Sequence, residues 1–368
     1  MNEKTQPCTH CGAVHPRANL TWMGSAELCP ECLQRYTVCC DCCGERIWMA
    51  NDYGTHYLHL CASCRADNYV TCENCGALIP QEDAHYNDED EAYCDSCYER
   101  GYGGTIHNYS YKPEPIFYGD GPLYLGVELE VDEAGKDNIN AVQALRAFNQ
   151  ENVYGYVKSD GSLNDGFELV THPCTLETHL QQVPWRETLE ALRGMGYRSH
   201  APGTCGLHVH VSRKALGKDV YEQEETIANL LYIFERFWQE ILRFSRRTES
   251  QINHWAARYG YKDRGEEILK EAKHGANGRY ACINLTNTDT IEFRVFRGTL
   301  KYNTVIATLQ FVANLCRVAI SLPEYRIQEF SWPALIEALT QDNCPELVQY
   351  LKERNMYVNE LVTAEREV

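Results

Sequence analysis

Twelve cysteines in the first hundred residues come as three sets of paired Cys-x-x-Cys motifs. Cys8, Cys11, Cys29 and Cys32 form the first set, Cys40, Cys43, Cys61 and Cys64 the second, and Cys72, Cys75, Cys94 and Cys97 the third. The sets repeat every 32 residues, with inner gaps of 17, 17 and 18 residues. In each set the second cysteine precedes a glycine (Gly12, Gly44, Gly76), which suits a tight knuckle needing positive φ. Four thiolates on two knuckles close a tetrahedron around Zn²⁺, and metal binding supplies much of the folding energy of so small a unit. Three zinc modules are therefore expected, at 1–38, 39–70 and 71–104, each with one structural Zn²⁺ and no position open to water. Cys39 and Cys42 are left over, so a slipped pairing stays open for the second module.

Fourteen of the 19 cysteines precede residue 100, and no basic segment followed by an apolar run opens the chain. Paired cysteines without such a leader point to metal binding in a reducing cytoplasm rather than to disulfides. The net charge is −18, and up to Tyr118 the count is 7 Lys/Arg against 17 Asp/Glu, or −10. That balance argues against nucleic acid as a partner. Tyr36, Trp48, Tyr53, Tyr57, Tyr69, Tyr86 and Tyr93 offer either an aromatic surface for a protein partner or packing against the knuckles; packing is the expected role in domains with so little other core. The longest apolar stretch, near 227–234, is read as too short to cross a bilayer.

Beyond a Gly-, Tyr- and Pro-rich linker at 105–119, a second domain at 120–368 alternates strands with helices. Helices are expected at 138–150, 176–193, 222–246, 303–320, 332–340 and 345–355. In Gly126-Val-Glu-Leu-Glu-Val131, side chains alternate between faces, so Glu128 and Glu130 share one face while Val127, Leu129 and Val131 take the other. Gly166–Thr171, Gly206–Val211 and Thr290–Arg297 repeat the arrangement with Glu168, His208, His210, Glu292 and Arg294. Helices covering the apolar side of such strands make an α+β fold.

Glu-x-Glu alone is usually a solvated strand face, and Glu292-x-Arg294 alone an exposed ion pair contributing under about 1 kcal/mol. Four such strands in one domain weaken those bland readings together. Clustered glutamates are hard oxygen ligands for Mg²⁺ or Mn²⁺, which draw remaining ligands from water and phosphate. Arg279, Arg294 and Arg297 would hold phosphate oxygens in pairs. Asp160, in the turn Lys158-Ser-Asp-Gly-Ser162, would reach substrate or a metal-bound water.

Taken in order, Gly-Val-Glu-Leu-Glu, Ser-Asp-Gly-Ser-Leu with Phe-Glu-Leu-Val-Thr-x-Pro, Cys-Gly-Leu-His-Val-His-Val, Arg-Tyr-x-x-x-Asn and Ile-Glu-Phe-Arg-Val-Phe-Arg-Gly-Thr resemble the amidoligases over roughly 120–320. These are ATP-dependent carboxylate–amine ligases of the glutamine synthetase superfamily. The resemblance implies a glutamine-synthetase-like antiparallel sheet, helices on one face, whose concave face holds ATP and Mg²⁺. It implies Glu128, Glu130, Glu168, His208 and Glu292 as metal ligands, and His210 as a nucleotide-side contact. Arg279, Arg294 and Arg297 would be phosphate and acyl-phosphate clamps, and Asn284 and Asp160 supporting or substrate residues. The implied reaction joins a carboxylate to an amine through an acyl-phosphate, with a protein or peptide as one substrate recruited by the zinc modules. Two readings stand beside it: an adaptor with an inactive ligase-like domain, and a phosphotransferase of the same superfamily.

Overall fold

The computed structural model describes residues 5–87, 90–100, 103–274 and 278–357. The chain divides into two compact units, Met1–Gly104 and Thr105–Val368. The outer ends of the expected first module and last domain, residues 1–4 and 358–368, lie outside the described residues, as do 101–102 of the third module.

In the first unit each repeat opens with a small antiparallel hairpin around its first knuckle: Thr5–Pro7 with Val14–Pro16, Thr37–Cys39 with Arg46–Trp48, and Tyr69–Thr71 with Leu78–Pro80. Gly12, Gly44 and Gly76 turn the knuckles at φ of 75°, 75° and 70°, a region L-residues avoid. The second knuckle closes onto a short helix: Cys29, Cys61 and Cys94 are the N-caps of Pro30–Tyr36, Ala62–Asn68 and Asp95–Glu99. The cores hold little besides the thiols, namely Leu28 and Met23, then Leu60, then Ile79 and Tyr93. The aromatic residues divide between the two expected roles. Tyr36, Trp48, Tyr69 and Tyr93 pack on these cores, whereas Tyr53, Tyr57 and Tyr86 are exposed.

The second unit is built on one sheet of eight strands: β1 Ile106–His107, β2 Tyr124–Val131, β3 Gly155–Lys158, β4 Phe167–Thr171, β5 Cys174–Thr175, β6 Gly206–Ser212, β7 Ile283–Asn284 and β8 Thr290–Arg297. The order is β1-β3-β4-β2-β6-β8-β7, with β5 paired to the start of β2. All pairs are antiparallel except β1 with β3, so the sheet is mixed rather than wholly antiparallel. The departure comes from the expected linker, which runs beside β3, accepts the Ser159 N–H on the His107 carbonyl and supplies the edge strand.

One face of the sheet is apolar and fully buried: Val127, Leu129, Val157, Leu169, Leu207, Val209 and Phe293 have no exposed surface. Helices cover it, chief among them Tyr302–Ser321, in which 15 of 20 residues are buried. By length and composition this helix could cross a membrane, so the 227–234 stretch is not the most apolar segment; its burial instead makes it the central core helix. Two expected helices are each broken in two. Pro184 separates Leu176–Gln181 from Trp185–Gly194, since proline lacks the N–H that continues a helix. Phe237, at φ −103° and ψ 34°, separates Val220–Arg236 from Trp238–Ser245.

Candidate functional site

The opposite face carries the charged side chains, and strand register decides which of them meet. Glu130 pairs with Glu168 across β2 and β4, and Glu168 with Lys158 across β4 and β3. Glu128 pairs with His208 across β2 and β6, and His210 with Glu292 across β6 and β8. A register shift between β6 and β8 sets two β8 residues, Arg294 and Val295, against the single His208, so that Phe293 and Phe296 both lie opposite apolar partners, Val209 and Leu207. Glu292 in turn lies opposite Asn284, whose Nδ2 donates to Glu292 Oε2 at 2.7 Å.

The result is a buried acidic cluster threaded by two imidazoles. His208 Nδ1 is 3.3 Å from Glu128 Oε2, 3.6 Å from Glu292 Oε1 and 3.8 Å from Glu130 Oε1. His210 Nε2 is 3.2 Å from Glu128 Oε1 and 4.0 Å from Glu292 Oε1. Two triads, Glu128–His210–Glu292 and Glu128–Glu168–His208, each bring three ligand atoms within 4.8 Å of one another, and they share Glu128. All five expected metal ligands are thus brought together. His210, expected on the nucleotide side, joins the first triad.

Electrostatics pull these carboxylates apart. Burial pushes Glu128 up, but His210 and His208 more than reverse it and hold the carboxyl well below its usual range. Burial raises Glu168 well above that range, and the charge of Glu128 adds to it against the opposing Lys158. Burial likewise raises Glu130, with Asp160 adding to the shift. Burial works against a charged His210, yet Glu128 raises its pKa overall. Carboxylate oxygens and imidazole nitrogens at these separations fit Mg²⁺ or Mn²⁺, the imidazoles favouring Mn²⁺.

The expected cationic residues are spread more widely. Arg294 sits in the cluster, its Nη1 2.5 Å from Glu292 Oε1. Arg297 ends β8, and its Nε is buried without a partner. Arg279 is on the rim rather than in the cluster: it is exposed and donates to the hydroxyls of Tyr109 and Tyr280, and the Tyr280 ring lies 6.0 Å from Arg294. Asp160 lies close enough to influence Glu130, while its Oδ1 accepts from the Ser162 N–H.

Three contributors were not singled out from sequence. Lys158 Nζ is 3.3 Å from Glu168 Oε2 and holds one carboxylate of the cluster. Its only signal was alternation with buried Val157. Arg246 and Arg247 end the helix Trp238–Ser245, where arginines ordinarily read as solvated. Cys174, Cys205 and Cys282 are buried, and burial pushes the first two thiols up to about 12 and the third higher, so none is a ready nucleophile.

The cysteine sets assemble as expected, each from its own two pairs. Sulfur–sulfur distances are 3.9 Å for Cys11–Cys29, 3.8 Å for Cys43–Cys61 and 3.8 Å for Cys75–Cys94. Zn–S bonds of about 2.3 Å at a tetrahedral angle require about 3.8 Å. Backbone N–H groups of Cys11 and Cys29 aimed at Cys8 lower its thiol to about 6, which favours the ligating thiolate. Cys39 and Cys42 remain outside the four-thiol set of the second module, and Asn68 Nδ2 lies 3.7 Å from Cys42 Sγ.

Residues 146–316 match the model of the family described as "Putative amidoligase enzyme", so the resemblance carried by the motifs holds over that segment. Glu128 and Glu130 precede it, but their strand is paired in register with two strands inside it. Among solved structures, the chain is similar to a bifunctional glutathione synthetase from Pasteurella multocida at 14% identity and a TM-score of 0.31. That alignment covers 63% of this chain and 46% of the other, less than half its length. No curated protein matches the sequence.

Proposed function

We propose that this protein is an ATP- and Mg²⁺-dependent (or Mn²⁺-dependent) carboxylate–amine ligase, forming an amide bond through an acyl-phosphate on a glutamine-synthetase-like sheet. The observation that carries the reading is the shared Glu128: two acid–imidazole triads, one mostly buried and one half-buried, meet at one carboxylate. Four glutamates, three of them buried, and two histidines so close together hold an arrangement costly without cations between them. Divalent ions bound there would neutralise the triphosphate and the acyl-phosphate. Glu128, Glu168 and His208 would hold one ion; Glu128, His210 and Glu292 the other; Glu130 stands beside both.

The remaining residues fit the same chemistry. Arg294, anchored by Glu292, presents a fixed positive charge beside the reacting phosphoryl group. Asn284 orients Glu292, and Lys158 orients Glu168. Arg279, released from its tyrosines, would reach the outer phosphates from the rim. Asp160, close enough to influence Glu130, would accept a proton from the attacking amine. The three four-cysteine modules serve a separate purpose, the recruitment of a protein or peptide substrate.

The test is ADP and phosphate release in Mg²⁺ or Mn²⁺. Release should require both a carboxylate and an amine, and candidate substrates should gain the mass of the partner less water. Release of ADP without phosphate, with an amine or guanidino acceptor alone that gains a phosphoryl group, would make the protein a phosphotransferase, and no nucleotide binding would overturn the reading. Removal of residues 1–104 should lower activity on a protein substrate and spare ATP binding; unchanged activity would end the recruitment idea.

A further inference from the structure

Among the described residues six buried side-chain nitrogens lack a hydrogen-bond partner, and four of them are the Nε atoms of Arg246, Arg247, Arg294 and Arg297. Arg294 has Glu292 as its counter-ion. The other three have no ion pair among the described residues: Arg246 and Arg297 are half-buried, and Arg247, the fully buried one, has Glu130 as its main opposing charge, beyond ion-pair distance. A guanidinium so desolvated and so weakly balanced is costly.

The backbone is shaped to gather them. The helix Trp238–Ser245 ends at Arg246 in the left-handed region, φ 66° and ψ 7°, unusual for a long side chain. That turn lets consecutive arginines reach the same strand. Arg246 donates from Nη1 to the Gly298 carbonyl at 3.2 Å and from Nη2 to that of Arg297, and Arg247 donates from Nη2 to that of Phe296 at 3.3 Å. Each guanidinium is fixed by one edge and keeps its Nε free. At the inner end, a Cβ on Gly206 would stand 2.9 Å from Arg247 Nη2 and 2.3 Å from His208 Nε2, so glycine there lets Arg247 meet the acid–imidazole cluster. At the outer end lies exposed His200, whose pKa is held down by burial and then by Arg297, Arg246 and Arg354.

A basic track therefore runs from solvent at His200 and Arg354, past Arg246 and Arg297, to Arg247 at the edge of the cluster. On a chain of net charge −18 such a track focuses anions toward one place.

We propose that this track binds the carboxylate substrate, and that the substrate carries at least two carboxylates, one held by Arg246 and Arg297 while the other is presented past Arg247. This rests on the ligase reading. The required pair of carboxylates occurs in a free dicarboxylic acid and in an acidic residue with a blocked amine, as at a peptide end.

Calorimetric titration of the full zinc-loaded chain without Mg²⁺ tests it, using glutarate, N-acetylglutamate, acetate and inorganic phosphate as probes. Glutarate or N-acetylglutamate should bind about tenfold or more tighter than acetate, and whichever of the two is preferred tells free acid from peptide end. Arg246→Met and Arg354→Met should each weaken that binding about tenfold, with Arg246→Lys restoring part of it. Arg354, at the outer end, serves if Arg246→Met fails to fold. Binding of a non-hydrolysable ATP analogue with Mg²⁺ should change less than about twofold in the Arg354 variant. Tighter binding of phosphate than of either dicarboxylate, or equal weakening of nucleotide binding, would overturn the proposal. No nucleotide binding by the unmodified protein would instead sink the ligase reading, leaving the dicarboxylate result to stand alone.

Discussion

Glu128 and His208 face each other across neighbouring strands, Oε2 to Nδ1 at 3.3 Å, while the other oxygen of Glu128 lies 3.2 Å from His210. One carboxylate thus serves both imidazoles and both triads. Glu128→Gln should therefore lower divalent-cation affinity at two sites at once, whereas Asn284→Ala, which only loosens Glu292, should affect one. Manganese titration of the two variants checks this; equal losses would contradict it.

Lys158 holds Glu168 in a site whose other occupants are mostly acidic. Removing one partner of a buried pair typically costs about 3–5 kcal/mol when the other stays charged. Glu168, already raised well above its usual range by burial and Glu128, would take up a proton instead. Lys158→Met should therefore lose less than that in denaturant unfolding without added Mg²⁺, with the loss growing as pH rises, and much of it should return when Mg²⁺ or Mn²⁺ is present. A loss indifferent to the cation would mean that Lys158 acts by packing alone.

The four-thiol clusters make a separate prediction. Elemental analysis should find three zinc ions per chain, and Cys11→Ser or Cys75→Ser should remove one each. Cys39→Ser and Cys42→Ser should remove none, because Cys40, Cys43, Cys61 and Cys64 form the second set. Chelation should unfold residues 5–100 and leave the thermal transition of the second unit in place, since little but metal holds such small cores.

His179 gives the protein an acid limit independent of the site. It is buried in the helix Leu176–Gln181, with Nε2 3.0 Å from the Leu125 carbonyl and Nδ1 3.3 Å from the Trp185 indole nitrogen, which donates to it. A second ring proton would point at that indole N–H. Burial lowers its pKa to about 4 from 6.5. Between those values the unfolded chain takes up the proton and the folded chain does not, so stability is intact above pH 6.5 and falls as pH drops toward 4. The full effect is on the order of 3 kcal/mol. Denaturant titrations at about pH 7 and about pH 4.5 should show the loss, and His179→Gln should reduce it.

The sheet's polar face was readable because strand side chains alternate strictly, so one apolar row announces its opposite. Glu128, Glu168, His208 and Glu292 were found that way. What joined them was not: Lys158 lies one strand beyond, and its role depends on the register that sets it against Glu168. Ile106–His107 was invisible as a strand because two residues carry no periodicity, and its parallel pairing with β3 spans some fifty residues of chain. Arg246 and Arg247 gave no signal either, since their meeting depends on one left-handed residue and on distant strand carbonyls. In the zinc modules the opposite holds. Spacing alone fixes a four-thiol site when its two knuckles lie within one repeat.

Mn²⁺ binding followed by electron paramagnetic resonance on the zinc-loaded chain tests the central claim most directly. Two ions should bind within a few ångströms of each other and give a spin-coupled spectrum, and Glu128→Gln should abolish the coupling. Binding of no Mn²⁺, or of a single isolated ion unaffected by Glu128→Gln, would contradict a divalent-cation centre built on this sheet.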